Sequence, residues 1–357
     1  MDFSKEVKSE SKFNENYLSL ENTRFLRGIF AIVVIIFHYM IFNYNYGFLA
    51  VGGFFFLSGY GLMHNRMKKK DYMETFVEKR FTSIIIPYLL AVLFCLAMYM
   101  LFGGYSFPFT IEIWTFSPSD ILLSFFVTRD SIVIFSWFVS AIVFQYIAFY
   151  ILFKHLKVET AIVFFVIFLI VYSLALYSIE QVVWMVSTPC FLLGIILAYG
   201  NQKEAFFEKL KKYYWVLLVI STLIFLLSFS VVFKKMSLAT VIYPIIAALS
   251  LMFLLSLVLM KIKIKSRIFD YIGKISFEVY LTHYLCIVLI KTTMDIDDIT
   301  GMLLSIMMAI VFGTILYTID SKVLSGLNRL NKEKGYRYAT RVLVVAWLFA
   351  FLFFFKL

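Results

Sequence analysis

Runs of about 20 consecutive apolar residues recur along the whole chain, and no other feature limits its fold as strongly. A helix of that length crosses the hydrocarbon core of a bilayer. Of the 357 residues 62% are hydrophobic, and the mean hydropathy is +0.90, whereas soluble domains are closer to half apolar. Backbone polar groups find no water in that core, so the predicted fold class is all-α, a polytopic transmembrane helical bundle.

The apolar runs predict about ten to eleven spans, with no internal repeat and no low-complexity tract. Residues 121–127 are apolar but short, which favours a re-entrant or interfacial segment. The approximate limits of the spans are 25–44, 48–64, 81–102, 131–153, 159–177, 182–200, 213–233, 237–260, 275–291, 300–319 and 339–356.

The distribution of Lys and Arg between the loops predicts the orientation. If the N-terminus is cytoplasmic, 28 of the 33 Lys and Arg residues lie at the cytoplasmic side. Such an excess is typical of cytoplasmic loops. We therefore predict a cytoplasmic N-terminal arm, residues 1–23. Because membrane topology explains the net charge of +11 and no nucleic-acid motif is present, we expect no nucleic-acid partner.

The first span, RFLRGIFAIVVIIFHYM, carries charged and titratable groups at a regular spacing. Arg27 and His38 are eleven residues apart, which is about 20° more than three helical turns, so they share one face. The rise between them is about 16 Å, half of the hydrocarbon thickness. Arg27 is therefore predicted at the cytoplasmic edge and His38 near the midplane, both open to one polar tunnel.

A histidine inside a spanning helix is costly unless it is paired or faces a cavity, which makes His38 a functional candidate. Neutral imidazole can accept a proton near pH 7, as general-base catalysis requires. The alternative is a core histidine that bonds a neighbour. Arg24, one turn before Arg27, either joins the same site or only snorkels to the membrane edge.

Together with the motifs that follow it, the R-x10-H spacing resembles the first-helix motif of the membrane-bound acyltransferase family 3. The stretch VGGFFFLSGYGL, residues 51–62, is similar to the second-helix signature of that family, a phenylalanine pair followed by Ser-Gly. Its Ser58 either lines a cavity or bonds only its own helix.

A third stretch, EKRFTSIIIPYLL, resembles the basic start of the third helix in the family, commonly R-x-x-R-I-x-P-P. Arg80 matches the first arginine, and Lys79 precedes it. Ser83 stands where the second arginine is usual, and Ile86 replaces the first proline. In the family these arginines hold the phosphates of the acyl-CoA donor, so the resemblance implies that Arg80 acts with Lys79 or with a residue from elsewhere.

Two later stretches continue the resemblance. WFVSAIVFQYIAFY, residues 137–150, is similar to the family segment W-x-L-S-x-E-x-Q-x-Y-L and aligns Tyr146. GKISFEVYLTHYL closely resembles the late signature G-x-I-S-Y-x-x-Y-L-x-H, which places Ser276, Tyr280 and His283 on one helical stripe. His283 either belongs to the site or bonds a backbone carbonyl.

Glu278 lies one turn into the ninth span and needs a partner. It either orients a cytoplasmic Lys or Arg or polarises a group of the site. The cysteines Cys95, Cys190 and Cys286 lie in apolar runs without close spacing, so they are interpreted as small buried hydrophobic side chains. No metal site is predicted.

The resemblance implies that residues 24–357 form a transmembrane O-acyltransferase domain in a bacterial cytoplasmic membrane. The expected reaction moves an acyl group, commonly acetyl, from cytoplasmic acyl-CoA to a hydroxyl of a surface polysaccharide of the cell envelope or of a lipid-linked glycan. Acyl-CoA is then a co-substrate, and no bound cofactor is expected. The implied roles are catalysis for His38 and Arg27, donor binding for Arg24, Lys79 and Arg80, and site lining for Ser58, Tyr146, Ser276, Glu278, Tyr280 and His283.

Many members of the family carry a fused extracytoplasmic hydrolase-like domain. The chain ends at Leu357, directly after its last predicted span, so no such domain is expected here. Either the membrane domain acylates its acceptor alone, or a separate extracytoplasmic transferase completes the reaction. His38 acts either as general base or as acyl carrier, and the sequence does not choose between these roles.

Another class of function suits the same composition. Inward polar residues and about eleven spans are also typical of a transporter or flippase of a glycan or a lipid-linked precursor. Such a protein would move its substrate without acyl-CoA. A purely structural or sensing membrane protein is a third class, and it would leave the histidine inside the first helix without a role.

Overall fold

The computed structural model describes residues 13–40, 46–103, 109–111, 114–126, 132–178, 182–232, 241–330 and 334–354. Within these ranges, ten helices are long and apolar enough to cross a membrane, and a pair of helices bent by 82° forms a candidate eleventh span. The predicted helical bundle of about ten to eleven spans is therefore confirmed. The cytoplasmic side of the N-terminus stays a prediction.

The elements are numbered in chain order. A π-helical turn, Val77–Phe81, leads directly into the third helix. The helices are α1 Leu20–Met40, α2 Gly47–Lys68, α3 Thr82–Gly103, α4 Pro118–Ser124, α5 Trp137–His155, α6 Val158–Ser178, α7 Val182–Ser187, α8 Pro189–Gly200, α9 Glu204–Lys212, α10 Tyr214–Val232, α11 Ile242–Lys261, α12 Arg267–Lys274, α13 Ser276–Thr293, α14 Asp298–Leu330 and α15 Lys334–Phe354. A short antiparallel hairpin, β1 Phe109–Ile111 and β2 Trp114–Phe116, precedes α4.

Several elements differ from the predicted limits, among them α4, α5 and α14. Helix α5 begins at Trp137 rather than near residue 131, because Phe135 has a φ of 62° and interrupts the helix before it. Helix α14 runs on to Leu330, well past its apolar run. Of the short apolar segment at 121–127, residues 121–124 belong to α4, which Ser117 and Asp120 start with a capping box, and residue 127 lies outside the described ranges.

The central helix of the bundle is α2. In its 18-residue apolar stretch 72% is buried, compared with 17% for α10 and 11% for α15. Helix α2 packs closely on α8 through Gly59 and Gly194. A Cβ added to Gly59 would overlap the carbonyl oxygen of Phe191, and one added to Gly194 would overlap that of Phe56. Any larger side chain would therefore push the two helices apart.

Residues of several basic segments are in contact with one another or with neighbouring helices at one end of the bundle. Arg66, at the end of α2, donates from Nε to the carbonyl oxygen of Phe153 in α5 at 3.0 Å. Arg337, in the first turn of α15, donates from Nε to Glu78 in the π-helical turn at 2.9 Å. We call this the basic end; by the distribution of Lys and Arg, it is the end predicted to face the cytoplasm.

Candidate active site

A cavity of about 240 Å³ lies inside the bundle toward the basic end, and we call it the inner cavity. It is bordered by α1, α2, α5, the bend between α12 and α13, and the start of α3 with the π-helical turn before it. The structure brings together here seven of the eleven residues proposed from the sequence. They are Arg27, Ser58, Arg80, Tyr146, Ser276, Glu278 and Tyr280.

Close packing of α1 on α12 positions Arg27. A Cβ on Gly28 would lie 2.5 Å from the carbonyl oxygen of Phe269, and one on Gly273 would overlap the carbonyl oxygen of Arg24. The two backbones therefore touch, which places the half-buried guanidinium of Arg27 beside Gly273 and Lys274 on the cavity wall.

Arg24 does not line the inner cavity. Its Nη1 lies 3.7 Å from a carboxylate oxygen of Asp270 in α12, and one-third of its side chain is exposed. It therefore ties α1 to α12 at the basic end. Of the two alternatives from the sequence, this position is the one expected for an arginine at the membrane edge.

Arg80 joins the inner cavity to a larger cleft of about 930 Å³ at the basic end, which we call the outer cleft. Arg80 and Ser83 border both spaces, whereas Lys79 borders only the outer cleft. The other residues that line the outer cleft are Lys69, Lys70, Asp71, Tyr72, Thr75, Phe76, Glu78, Thr82, Leu324, Asn328 and Arg337.

Tyr72 fixes the side chain of Arg80. Nε of Arg80 donates to the Tyr72 hydroxyl at 2.8 Å, and the guanidinium lies 5.3 Å from the centre of the ring, in cation–π range. Burial raises the pKa of Tyr72 to about 12, so the phenol stays neutral at physiological pH. Tyr72 therefore places no negative charge beside the guanidinium of Arg80.

His38 and His283 form a pair, with ring centres 5.1 Å apart. His283 is 1% exposed, and its Nδ1 bonds the carbonyl oxygen of Tyr280. Because a carbonyl can only accept, Nδ1 carries a proton, and in the neutral ring Nε2 then holds a free lone pair. No hydrogen-bond partner for Nε2 lies within the described part of the chain. His283 thus makes the bond to a backbone carbonyl that was one of its two expected roles. It also lies beside His38.

Phe135 is a member of the site that the sequence did not indicate. Its ring stacks on His38 with centres 4.1 Å apart, and its carbonyl oxygen accepts a hydrogen bond from the Tyr280 hydroxyl. The positive φ of Phe135 is unusual for a bulky residue, and such strain is concentrated at functional sites. The sequence gives no signal for this left-handed residue, because the position holds phenylalanine rather than the glycine or asparagine that usually adopts a positive φ.

Tyr280 separates the inner cavity from the histidine pair. Its ring lies 5.3 Å from Phe138, which also lines the cavity, and 5.5 Å from His283. His38 does not line the inner cavity, although Arg27 does. The expected tunnel common to Arg27 and His38 therefore does not extend to His38 in this structure, and Tyr280 borders the cavity on the side of His283.

Glu278 faces the inner cavity and also borders a second space together with Asp320 of α14, a buried carboxyl group that the sequence analysis missed. The two residues are 6% and 1% exposed, and Oε2 of Glu278 and Oδ2 of Asp320 have no hydrogen-bond partner in the described ranges. No lysine or arginine within those ranges forms a salt bridge with Glu278. The ion pair expected as its structural role is therefore replaced by a pair of carboxyl groups.

Among the described residues, no three His, Cys, Asp or Glu side chains cluster in a way that could hold a metal ion. The three cysteines are buried and free. The site combines a basic cleft, an internal cavity with guanidinium groups on its wall, and a pair of imidazole rings near Tyr280. Such an arrangement suits an anionic ligand with a long arm and a proton transfer at the far end.

Ten to eleven candidate spans among the described residues define a polytopic membrane protein, and its candidate site lies at a cavity lined by two arginines. A family model described as an acyltransferase domain matches residues 22–319. The chain therefore belongs to the acyltransferase 3 family and is a membrane acyltransferase. No curated protein and no solved structure in our comparisons matches the chain significantly.

Proposed function

We propose that this protein transfers an acetyl group from cytoplasmic acetyl-CoA to a hydroxyl of a surface or lipid-linked glycan in a bacterial cytoplasmic membrane. The observation that carries the proposal is the position of Arg80, which borders both the outer cleft and the inner cavity. A guanidinium at this junction suits the phosphates of a donor whose acyl arm continues inward.

The donor binds in two parts. Its phosphates lie in the outer cleft against Arg80 and Lys79, and the pantetheine arm extends past Arg27 through the inner cavity. The rise of about 16 Å between Arg27 and His38 is comparable to the length of such an arm. Tyr280 has to turn aside for the thioester to reach His38, since its ring stands between the cavity and the histidines.

His38 removes the proton of the acceptor hydroxyl, and the oxygen attacks the thioester carbonyl. The C–O bond forms, the C–S bond breaks, and the departing thiolate of CoA takes up a proton. In the second form of the mechanism, a ring nitrogen of His38 attacks the thioester, the C–S bond breaks, and CoA leaves as the thiol with the ring proton. The acceptor hydroxyl then attacks the acetyl-imidazole, the C–N bond breaks, and the hydroxyl proton returns to the ring. Nδ1 of His283 is bonded to the carbonyl oxygen of Tyr280, and its Nε2 has no partner among the described residues. His283 therefore either orients the ring of His38 or accepts a proton from it.

The proposal is tested with the full chain purified into nanodiscs, radiolabelled acetyl-CoA and cell-surface glycan extracts. We expect labelled glycan that depends on acetyl-CoA, and loss of the label with His38→Ala in protein that remains folded. Mass spectrometry of the glycan then names the acylated hydroxyl. Wild-type protein that moves a glycan or a lipid-linked precursor without acyl-CoA, and transfers no acyl group, would establish the transporter alternative instead.

A further inference from the structure

The third-helix motif of the chain lacks its second arginine, and the structure suggests where the missing charge comes from. Ser83 is exposed, and its hydroxyl donates to the carbonyl oxygen of Arg80 at 2.8 Å, so it folds back on its own helix. Arg337, at the start of α15, borders the same outer cleft as Arg80 and Ser83. The family match ends at residue 319, so the resemblance carries no role over to Arg337.

Glu78 holds Arg337 in place at the cleft. Nε of Arg337 donates to Oε1 of Glu78 at 2.9 Å, and its Nη2 donates to the carbonyl oxygen of Glu74 at 2.9 Å. Glu78 is buried, and it belongs to the π-helical turn that also carries Lys79 and Arg80. One rigid unit therefore presents guanidinium groups from two distant parts of the chain.

The charge of Arg337 is not cancelled by this contact, because Glu78 serves two arginines. Arg341, one turn further along α15, donates from Nε to the same Oε1 at 3.1 Å and from Nη2 to the carbonyl oxygen of Glu74 at 2.6 Å. One carboxylate thus meets two guanidinium groups. The lining of the outer cleft holds five cationic side chains and two carboxylates, so it is suited to a polyanion.

We propose that Arg337 binds a phosphate group of the acyl-CoA donor and takes the place that the motif gives to an arginine at position 83. This inference rests on the proposed function and assigns part of its donor site to the C-terminal helix. Nε and Nη2 of Arg337 are engaged with Glu78 and Glu74, and because the residue lines the outer cleft, Nη1 remains for a ligand there. A guanidinium fixed in this way is pre-organised for a phosphate oxygen.

Arg341 supplies a matched control. It makes the same bonds to Glu78 and Glu74 but does not line the outer cleft. Arg337→Gln is expected to raise the KM for acetyl-CoA about tenfold and to leave kcat within about twofold, as for the loss of one charge-assisted hydrogen bond at a partly exposed site. Arg341→Gln, which loosens the same anchor, is expected to change KM by less than about twofold.

The assay uses the full chain in nanodiscs of phosphatidylcholine, with thermal unfolding of each variant as the check on folding. Binding of 3′-dephospho-CoA, compared with CoA, shows whether a phosphate of the donor is the partner. A second variant, Ser83→Arg in the Arg337→Gln background, is expected to recover most of the lost affinity, because it returns a guanidinium to the same cleft. If Arg337→Gln fails to fold, Arg337→Lys, which keeps the charge but loses the planar fork, replaces it.

Equal KM values for Arg337→Gln and Arg341→Gln would overturn the inference and leave both arginines as anchors of α15. A defect of Arg337→Gln that appears only when nanodiscs contain anionic lipid would also overturn it, since a lipid headgroup would then be the phosphate source. Absence of CoA binding and of acyl transfer in the wild type would be a different result, because it contradicts the proposed function itself.

Discussion

Helix α15 is predicted to depend on Glu78 for its docking at the basic end. Only 11% of the 18-residue apolar stretch of α15 is buried, so few apolar contacts hold this helix on the bundle. Glu78→Gln keeps the size of the side chain but removes the charge that Arg337 and Arg341 share. We expect the first turns of α15 to open more often while the rest of the bundle keeps its fold.

The magnitude follows from the exposure of the partners. Charge-assisted hydrogen bonds contribute about 1.5–3 kcal/mol each when buried, and exposed ion pairs about 0.2–1 kcal/mol. Glu78 is 3% exposed, but Arg337 and Arg341 are 38% and 41% exposed, so water compensates part of each loss. We therefore expect about 1 kcal/mol per arginine and about 2 kcal/mol in total. That corresponds to roughly 30-fold faster exchange of the protected amides.

The assay is hydrogen–deuterium exchange of donor-free protein in nanodiscs, read by mass spectrometry for the peptide that covers 334–341. Trp347→Phe is the matched control, because it removes the bond from Nε1 to the carbonyl oxygen of Phe125 at 3.1 Å, away from the basic end. It should leave exchange at 334–341 unchanged. Unaltered exchange of this peptide in Glu78→Gln would refute the assignment of Glu78 as the anchor.

Three further predictions concern the site. Tyr280→Phe removes the hydrogen bond to the carbonyl oxygen of Phe135, so kcat is expected to fall about tenfold with thermal stability nearly unchanged; an unaltered kcat would exclude a positioning role for that hydroxyl. Glu278→Leu and Asp320→Leu are each expected to destabilise the protein, and the double variant less than their sum, with a coupling of about 1 kcal/mol in thermal unfolding; strict additivity would show that the pair does not interact. Because burial raises the pKa of Tyr72 to about 12, its phenol stays protonated and the KM for acetyl-CoA should be flat from pH 7 to about 10; a rise of KM in that range, absent from Tyr72→Phe, would contradict this.

The spans and much of the site were predictable because both depend on local periodicity. Apolar runs give the helices, and the helical repeat places Ser276 and Tyr280 on the cavity side of α13, as expected. The spacing of Arg27 and His38 predicts that they share one face of α1. It does not predict which side chain lies between the cavity at Arg27 and the ring of His38. Tyr280 fills that position through a hydrogen bond to a residue of another segment.

The remaining members of the site depend on contacts between distant segments. Asp320 follows the apolar run of α14 and reads as a residue of the membrane edge, yet folding brings it to Glu278 in α13. Phe135 reaches His38 through a left-handed turn that its own sequence does not announce. Arg337 is one of several basic residues near the start of α15, and its position in the lining of the outer cleft distinguishes it from Arg341, which also contacts Glu78.

Donor binding at the basic end and acyl transfer at His38 are separate tasks in the proposed mechanism, and single-turnover kinetics distinguish them most directly. The measurement follows transfer of the acetyl group from bound acetyl-CoA in His38→Asn, with the donor Kd determined on the same sample. We predict an unchanged Kd and a transfer rate at least about 100-fold lower, as expected for loss of a general base or acyl carrier. Transfer at the wild-type rate with an unchanged Kd would contradict the role of His38.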